Sequence, residues 1–181
     1  MSPLTSPVTT RSFAEEPGVT RRITVGIGEF AVSSQPGELI VTHALGSCIA
    51  VCVFDPIANV AAMLHFLLPE SRINAERAKQ QPAAFADSGI PLLFQSAYKA
   101  GLDKKRAIVK LVGGAEVGQG ASASSFQIGR RNALAAKNVL WRNGVLVKAE
   151  DVGGTIARTV HLTVGTGRVQ VFHGREEIRE L

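Results

Sequence analysis

The sequence predicts a mixed α/β fold of one domain, a layered sandwich in which helices pack on a mixed or antiparallel β-sheet. Short apolar runs of strand length, separated by turn residues, occupy most of the chain. Two longer segments between them carry an apolar stripe at helical spacing, so hairpins and helices are interposed. The 181 residues, of which 45% are hydrophobic and 19% charged, are enough for one domain with a substantial core.

The amino-terminal part divides into a leader and three predicted strands. Residues 1–18 are rich in Ser, Thr and Pro and lack apolar periodicity. This composition predicts a disordered leader, followed by one domain over residues 19–181. The strand pattern begins at Arg21. Strands are predicted at residues 23–27, 30–32 and 38–42, with a turn at residues 35–37 before the third.

An antiparallel hairpin is predicted next along the chain. Residues 49–54 are apolar on both faces, as expected of a central strand that is covered on both sides. Residues 55–59, with Asp and Pro at the first positions, supply turn chemistry. Residues 60–68 then return as the second strand, which Pro69 ends.

The second half alternates helices and strands. A helix is predicted from an N-cap at Ser88 to Gly101, with Pro91 in its first turn. A second helix is predicted at residues 130–143, where Gly144 ends an apolar stripe. The remaining segments are a charged loop or short helix at residues 70–81, a flexible Gly/Ser loop at 118–125, and strands at 105–112, 145–149, 159–164 and 168–172.

Composition limits the cellular setting and the partners. The net charge of +5 suits nucleic acid or an acidic protein partner, but the aromatic content of 6% and the lack of a stacking motif disfavour nucleic acid. No apolar run reaches the roughly 18 residues needed to cross a membrane. No secretory signal is visible, so cytoplasmic localisation without membrane insertion is expected.

The two cysteines and four histidines do not predict a metal site. On one strand, Cys48 and Cys52 would lie about 13 Å apart, which excludes a disulfide and suits a reducing compartment. Two cysteines cannot supply an all-cysteine zinc site, and His43, His161 and His173 show no ligand spacing. The glycines at residues 113–120 match neither nucleotide-binding motif. We expect no metal and no cofactor.

The register of the predicted hairpin brings a nucleophile type and a base type together. A loop centred on Pro56 and Ile57 pairs residues whose numbers sum to 113, which places Cys48 directly opposite His65. Opposed Cβ atoms lie about 4.5–5.5 Å apart, within reach of a thiol–imidazole hydrogen bond. The pair is the arrangement that a cysteine hydrolase needs, although cysteine is also a common core residue, as we expect of Cys52.

The chemistry of such a pair is specific. A neighbouring imidazolium would lower the pKa of Cys48, and the thiolate would attack an amide or ester carbonyl to form a thioester. His65 would give a proton to the leaving group and then activate water. Because Gly46 and Ser47 form a tight turn before the nucleophile, backbone N–H groups of Ser47 and Cys48 are candidates for an oxyanion hole.

Five ordered blocks of the sequence carry a family resemblance. They are residues 44–56, 63–69, 110–115, 128–132 and 150–154, the last followed by Arg158 and the turn at Thr166 and Gly167. Together they resemble the CheD family of chemoreceptor glutamine deamidases over about residues 21–172. The resemblance implies Cys48 as nucleophile, His65 as general acid and base, and Thr42 as the third catalytic residue.

The same resemblance implies a fold, a substrate and partners. The fold would be that of CheD and of cysteine hydrolases like cytotoxic necrotizing factor, and the substrates would be glutamine side chains on the methylation helices of chemotaxis receptors. Two alternatives stay open: hydrolysis of receptor glutamyl methyl esters, and a main role as partner of a CheC-type phosphatase. Ala44 stands where the family commonly has Gly.

Overall fold

The computed structural model describes residues 18–116 and 127–181. The predicted leader, except Gly18, and the predicted Gly/Ser loop lie outside these ranges. Within them the chain forms ten strands, three α-helices and two short 3₁₀ helices. The strands are β1 (Arg21–Thr24), β2 (Glu29–Ser33), β3 (Glu38–Leu45), β4 (Ile49–Asp55), β5 (Val60–Phe66), β6 (Ile108–Gly113), β7 (Val147–Val152), β8 (Arg158–Thr163), β9 (Val169–His173) and β10 (Glu176–Glu180). The helices are α1 (Ala75–Gln80), α2 (Ala86–Lys99) and α3 (Ile128–Arg142), and the 3₁₀ turns are Ser71–Asn74 and Pro82–Ala84.

The strands form two five-stranded sheets. Sheet one has the order β1-β3-β8-β9-β10, and sheet two has the order β2-β5-β4-β6-β7. Each sheet is mixed, because β1 runs parallel to β3 and β6 runs parallel to β7, whereas the other neighbours are antiparallel. The predicted mixed α/β sandwich is confirmed, with two sheets in it.

Two apolar clusters define the layers. One lies between the sheets and contains Ile40 of β3 and Met63 of β5. The other lies between sheet two and the helices, and contains Leu64 of β5, Leu93 of α2 and Leu140 of α3. Sheet two is therefore the middle layer, which explains why every residue of β4 and of β5 is buried. The prediction of a doubly covered central strand is confirmed.

The register of the central hairpin differs from the predicted one. Asp55 pairs with Val60 and Ala50 lies opposite His65, so the predicted pairing of Cys48 with His65 is wrong by two residues. The Asp55 carboxylate accepts hydrogen bonds from the backbone N–H groups of Ile57 and Ala58, which closes the turn one residue later than predicted. A shift of two residues leaves each side chain on the same face of the strand.

The starts of two helices and the last strand also differ from the sequence-based expectation. α2 begins at Ala86, because the Leu68 carbonyl accepts from its backbone N–H, so Ser88 is not the N-cap and donates instead to the Pro82 carbonyl. Pro91 consequently lies inside the helix and not in its first turn. α3 begins two residues early, at Ile128, and β10 was not predicted because four of its five residues are charged.

No helix of the described ranges has the length and apolarity that a membrane crossing requires.

Candidate active site

Thr42 and His65 contact each other between the two sheets, and Cys48 lies in the apolar cluster of the same layer. Thr42 lies near the end of β3 in sheet one, and His65 lies near the end of β5 in sheet two. Cys48 directly precedes β4 and belongs to the apolar cluster between the sheets. All three are buried, with exposures of 0%, 6% and 1% for Thr42, Cys48 and His65.

The observed register makes Cys48 and His65 diagonal neighbours. His65 faces Ala50 across the hairpin, and Cys48 lies two residues before Ala50, on the same side of the chain. Diagonal pairs on one face of an antiparallel sheet lie about 7–8 Å apart at the backbone, which long side chains can span. The two residues therefore share one face of sheet two, but at a greater separation than the sequence predicts.

Thr42 fixes the tautomer of His65. Its Oγ1 lies 2.7 Å from the Val25 carbonyl oxygen and 2.7 Å from Nδ1 of His65. A carbonyl oxygen only accepts, so the hydroxyl donates its single proton to Val25. The hydroxyl must then accept from Nδ1–H of His65. This leaves Nε2 of the neutral ring with a lone pair, in the state of a general base.

The environment of His65 keeps the ring neutral. Its Nε2 is buried and has no hydrogen-bond partner among the described residues. Burial lowers the pKa of His65 to about 4, because the imidazolium would lose its hydration in this position. At neutral pH the residue is therefore an uncharged base, with its lone pair on Nε2.

Cys48 is likewise neutral at rest. Burial raises the pKa of its thiol, and its own backbone N–H offsets part of that increase. The expected lowering of the Cys48 pKa by an imidazolium is wrong for this state, since His65 carries no charge at neutral pH. The two pKa shifts together favour a thiol and an imidazole over a thiolate–imidazolium ion pair.

A bulge in β3 directs the chain from one sheet to the other just before Cys48. Thr42 pairs with Val160 and Leu45 pairs with Arg158, so β3 has one extra residue between these pairs. Ala44 in the bulge has φ 56°, in the left-handed region that favours glycine. The backbone N–H of Gly46 donates to the Ala44 carbonyl and tightens the turn that follows.

Three carbonyl groups around the nucleophile are anchored from neighbouring segments. The Gly46 carbonyl accepts from the Ala115 backbone N–H at 2.8 Å, and the Cys48 carbonyl accepts from the Gly114 N–H at 2.8 Å. The Ser47 carbonyl accepts from the side-chain amide of Asn132 at 2.9 Å. Every residue of the segment 46–48, called the nucleophile loop below, is thus held through its carbonyl oxygen.

Two backbone N–H groups of the nucleophile loop, those of Ser47 and Cys48, are left open. Backbone N–H of Ser47 has no acceptor among the described residues, and that of Cys48 has none except its own sulfur. Each peptide unit is planar and trans, so its N–H points away from its anchored carbonyl. Two adjacent N–H groups beside a thiol are the donor arrangement of an oxyanion hole.

The segments behind the nucleophile loop require close backbone approach. A Cβ atom on Gly113 would lie 2.2 Å from the Cys48 carbonyl oxygen, and Gly113 has φ 118°. The loop after β7 lies behind these segments. Arg158 holds it in place by donating to the Gly153 and Ile156 carbonyls and by pairing with Asp151. The segment at Gly113 therefore supports the nucleophile loop through backbone contacts.

Asn132 and Gly113 were not predicted from the sequence as residues of the site. Asn132 falls on the buried stripe of α3, between Gly129 and the apolar Ala133 and Ala136. A polar residue on an apolar stripe was the available signal. Gly113 looked like an ordinary turn glycine, because its need for close approach appears only once β4 and β6 are paired.

The other cysteine and histidines lie outside this arrangement. Cys52 is buried, and its burial raises the pKa to about 12, with Lys110 partly offsetting this increase, as expected of a core residue. His161 is buried against Phe172, whereas His43 and His173 are exposed. In residues 18–116 and 127–181, no three His, Cys, Asp or Glu side chains are grouped to hold a metal ion.

The chain matches a family model and aligns with a solved structure. The family model described as "CheD chemotactic sensory transduction" matches residues 67–173, a stretch that begins after His65. Among solved structures, a Bacillus licheniformis hypothetical protein, YfiH, aligns with a TM-score of 0.43 and 11% identity, over 77% of this chain and 61% of that chain.

Curated relatives extend the match across the site. A "Probable chemoreceptor glutamine deamidase CheD 1" from Syntrophus aciditrophicus is 43% identical over 159 residues, which is 88% of this chain and 98% of the relative. Proteins described in similar words are 49% identical in Anaeromyxobacter dehalogenans and 46% identical in Syntrophotalea carbinolica, over 84% and 81% of this chain and 94% and 91% of theirs. An aligned stretch of 159 among 181 residues includes 42–65 whichever end is left out.

Proposed function

The chain belongs to the CheD family, and on that premise we propose that it deamidates glutamine side chains of chemoreceptors to glutamate, with Cys48 as nucleophile. The relatives named as probable chemoreceptor glutamine deamidases supply the substrate class. The tautomer of His65, set by Thr42 and the Val25 carbonyl, is the observation that carries the mechanism. It presents Nε2 as a proton acceptor on the face of sheet two that also carries Cys48.

Acylation begins from the neutral pair. His65 Nε2 takes the thiol proton as Cys48 Sγ attacks the glutamine carboxamide carbon. The carbonyl oxygen becomes an oxyanion, and the open N–H groups of Ser47 and Cys48 donate to it. The imidazolium then gives its proton to the departing nitrogen. Ammonia leaves, and a thioester links Cys48 to the former glutamine side chain.

Deacylation uses the same groups in reverse order. Neutral His65 removes a proton from water, and the hydroxide attacks the thioester carbon. The sulfur departs and recovers the proton, which leaves a glutamate side chain and the resting thiol. Thr42 accepts a hydrogen bond from Nδ1–H throughout both stages. Because its hydroxyl oxygen faces the ring, it also stabilises the imidazolium.

Burial makes the neutral resting pair compatible with this chemistry. A charge-separated resting pair would require two ions in a position that is nearly inaccessible to solvent. Proton transfer concerted with attack on the carboxamide avoids free charges until the oxyanion donors are engaged. The arrangement favours substrate-dependent activation of the thiol over a permanently reactive thiolate.

Two other expectations remain predictions. The receptor itself is part of the proposal, and the net charge of +5 complements its acid-rich helices. A CheC-type phosphatase partner and cytoplasmic localisation follow from the resemblance and from the composition. Co-purification with such a phosphatase, and fractionation of cells, are the measurements that test them.

The decisive experiment follows ammonia release and peptide mass on a cognate chemoreceptor. Wild-type protein should release ammonia and convert particular glutamines to glutamates, whereas Cys48→Ala should do neither. Cys52→Ala is the matched control, because it removes the other buried thiol of the same strand region and should stay active. Full activity in Cys48→Ala would refute the proposal.

The same peptide maps separate deamidation from ester hydrolysis. Conversion of an amide to an acid raises the peptide mass slightly, whereas hydrolysis of a glutamyl methyl ester lowers it by a methylene group. We expect the first change on unmethylated receptor. Mass loss confined to methylated receptor would favour the methylesterase alternative.

A further inference from the structure

Asn132 connects the nucleophile loop to the strand that carries the base. The side chain is fully buried, with 0% exposure, and both N–H groups of its amide are used. Nδ2 donates to the Ser47 carbonyl at 2.9 Å and to the Leu67 carbonyl at 2.8 Å. Ser47 directly precedes Cys48, and Leu67 follows His65 by two residues. One side chain therefore spans both halves of the proposed catalytic pair.

The path of α3 is what brings Asn132 within reach. Gly129 lies one turn earlier on the same face of the helix. A Cβ atom on Gly129 would lie 2.3 Å from the Gly114 carbonyl oxygen, so only glycine allows the helix to approach this closely. The close approach places the next residue on that face, Asn132, against the nucleophile loop.

We infer that Asn132 is a positioning residue for the oxyanion hole, an inference that rests on the function proposed above. The Ser47 carbonyl and the Cys48 N–H belong to one planar trans peptide unit and point in opposite directions. A hydrogen bond that fixes the Ser47 oxygen therefore fixes the direction of the Cys48 N–H. Asn132 sets the aim of that donor without touching the substrate.

The neighbouring peptide unit has an equivalent anchor made of backbone. The Gly46 carbonyl accepts from the Ala115 N–H, which orients the Ser47 N–H in the same manner. Of the two proposed oxyanion donors, only the Cys48 N–H depends on a side chain for its orientation. Substitution of Asn132 is thus a means of disturbing one donor while the other keeps its anchor.

The test compares Asn132→Ala and Asn132→Asp with wild type, using the full chain and a cognate chemoreceptor. The Asp variant is nearly isosteric, but its carboxylate cannot donate and would face two carbonyl oxygens. We expect kcat for ammonia release to fall about 10- to 100-fold in both variants, with KM changed by less than about threefold. Asn138→Ala and Asn138→Asp, on the exposed side of α3, are controls and should match wild type.

A second measurement distinguishes positioning of the oxyanion hole from a general loss of structure. Iodoacetamide alkylates a thiol by displacement at carbon and forms no oxyanion. In the Cys52→Ala background, the alkylation rate of Cys48 should therefore stay within about threefold of wild type when Asn132 is replaced. Rates are measured below the melting temperature of each variant, so that only folded protein contributes.

Each result bears on the inference. Unchanged kcat in both Asn132 variants, with Cys48→Ala inactive, would overturn it and leave the proposed function standing. Equal losses in kcat and in alkylation, or failure of both variants to fold, would place the role of Asn132 in the fold and also overturn it. Full activity of Cys48→Ala would instead refute the proposed function itself.

Discussion

The hydroxyl oxygen of Thr42 lies 2.7 Å from Nδ1 of His65, and this contact joins the two sheets at the candidate active site. Because the same hydroxyl donates to the Val25 carbonyl, the contact has only one possible polarity, from Nδ1–H to oxygen. A residue of sheet one thereby determines which nitrogen of a sheet-two histidine is available as a base. The packing of the two sheets therefore sets the tautomer of His65.

Replacement of Thr42 should separate the effect of its hydroxyl group from the effect of its side-chain volume. Thr42→Val keeps the volume but leaves Nδ1–H of His65 without an acceptor in a buried position. We expect kcat to fall by about 10²-fold and the free energy of unfolding to fall by about 1–3 kcal/mol. Thr42→Ser keeps the hydroxyl and should retain most of the activity. Ammonia release and urea unfolding give the two quantities, and a fully active Val variant would contradict the tautomer assignment.

The reactivity of Cys48 should increase only at alkaline pH. Burial raises the pKa of its thiol, and His65 is neutral down to about pH 4, so no ion pair supplies thiolate at neutral pH. In the Cys52→Ala background, the rate of alkylation by iodoacetamide should rise only at a pH above about 8.5, where an ordinary thiol ionises. A plateau of fast alkylation between about pH 5 and about pH 8, typical of a thiolate–imidazolium pair, would contradict the neutral pair.

His65 should also make stability depend on pH. Its pKa is about 4 in the folded chain and 6.5 in the reference state, so between these values the unfolded chain binds a proton that the folded chain does not. The contribution is complete above about pH 6.5 and is lost as the pH falls toward 4, on the order of 3 kcal/mol. His65→Gln should therefore lose less stability than wild type between these pH values in urea titrations. Equal losses would contradict the burial effect.

Much of the fold was predictable because its strands have distinct composition. The apolar runs of β4 and β5 predicted a central hairpin, and the turn residues between them predicted its position. The register was not predictable in the same way, since two pairings that differ by two residues bury the same faces. Hydrogen bonds that the Asp55 carboxylate accepts from the backbone N–H groups of Ile57 and Ala58 decide between them, and these depend on side-chain geometry.

The site shows the same division. Cys48 and His65 were predicted as site residues from local sequence, and Thr42 from the family resemblance. Asn132 was missed because its partners, Ser47 and Leu67, are distant in sequence and meet only after α3 packs on sheet two. The start of α2 was missed for a related reason, since a contact with Leu68 fixes it and no local cap does.

Ala44 offers a substitution that should stabilise the chain. It is exposed and has φ 56°, a backbone conformation that costs an L-residue about 1–2 kcal/mol. Glycine removes this cost and adds about 0.5–1 kcal/mol of chain entropy loss, so Ala44→Gly should raise the free energy of unfolding by about 0.5–1 kcal/mol. Ala135→Gly, inside α3, should lower it by about 1 kcal/mol. Destabilisation of both variants by the same amount would contradict the strain at Ala44.

Gly113 should be the least replaceable glycine near the nucleophile. Gly113→Ala would place a methyl group 2.2 Å from the Cys48 carbonyl oxygen, at φ 118°. Gly144→Ala is the matched control, because Gly144 has φ 71° and nothing within 4 Å of its Cβ position. Both substitutions carry the cost of positive φ, about 1 kcal/mol, whereas only Gly113→Ala adds the collision, for an expected total above about 3 kcal/mol. The displaced Cys48 carbonyl should also lower kcat, whereas Gly144→Ala should leave it unchanged. Similar unfolding free energies and similar ammonia release for the two variants would show that the backbone behind Cys48 can yield.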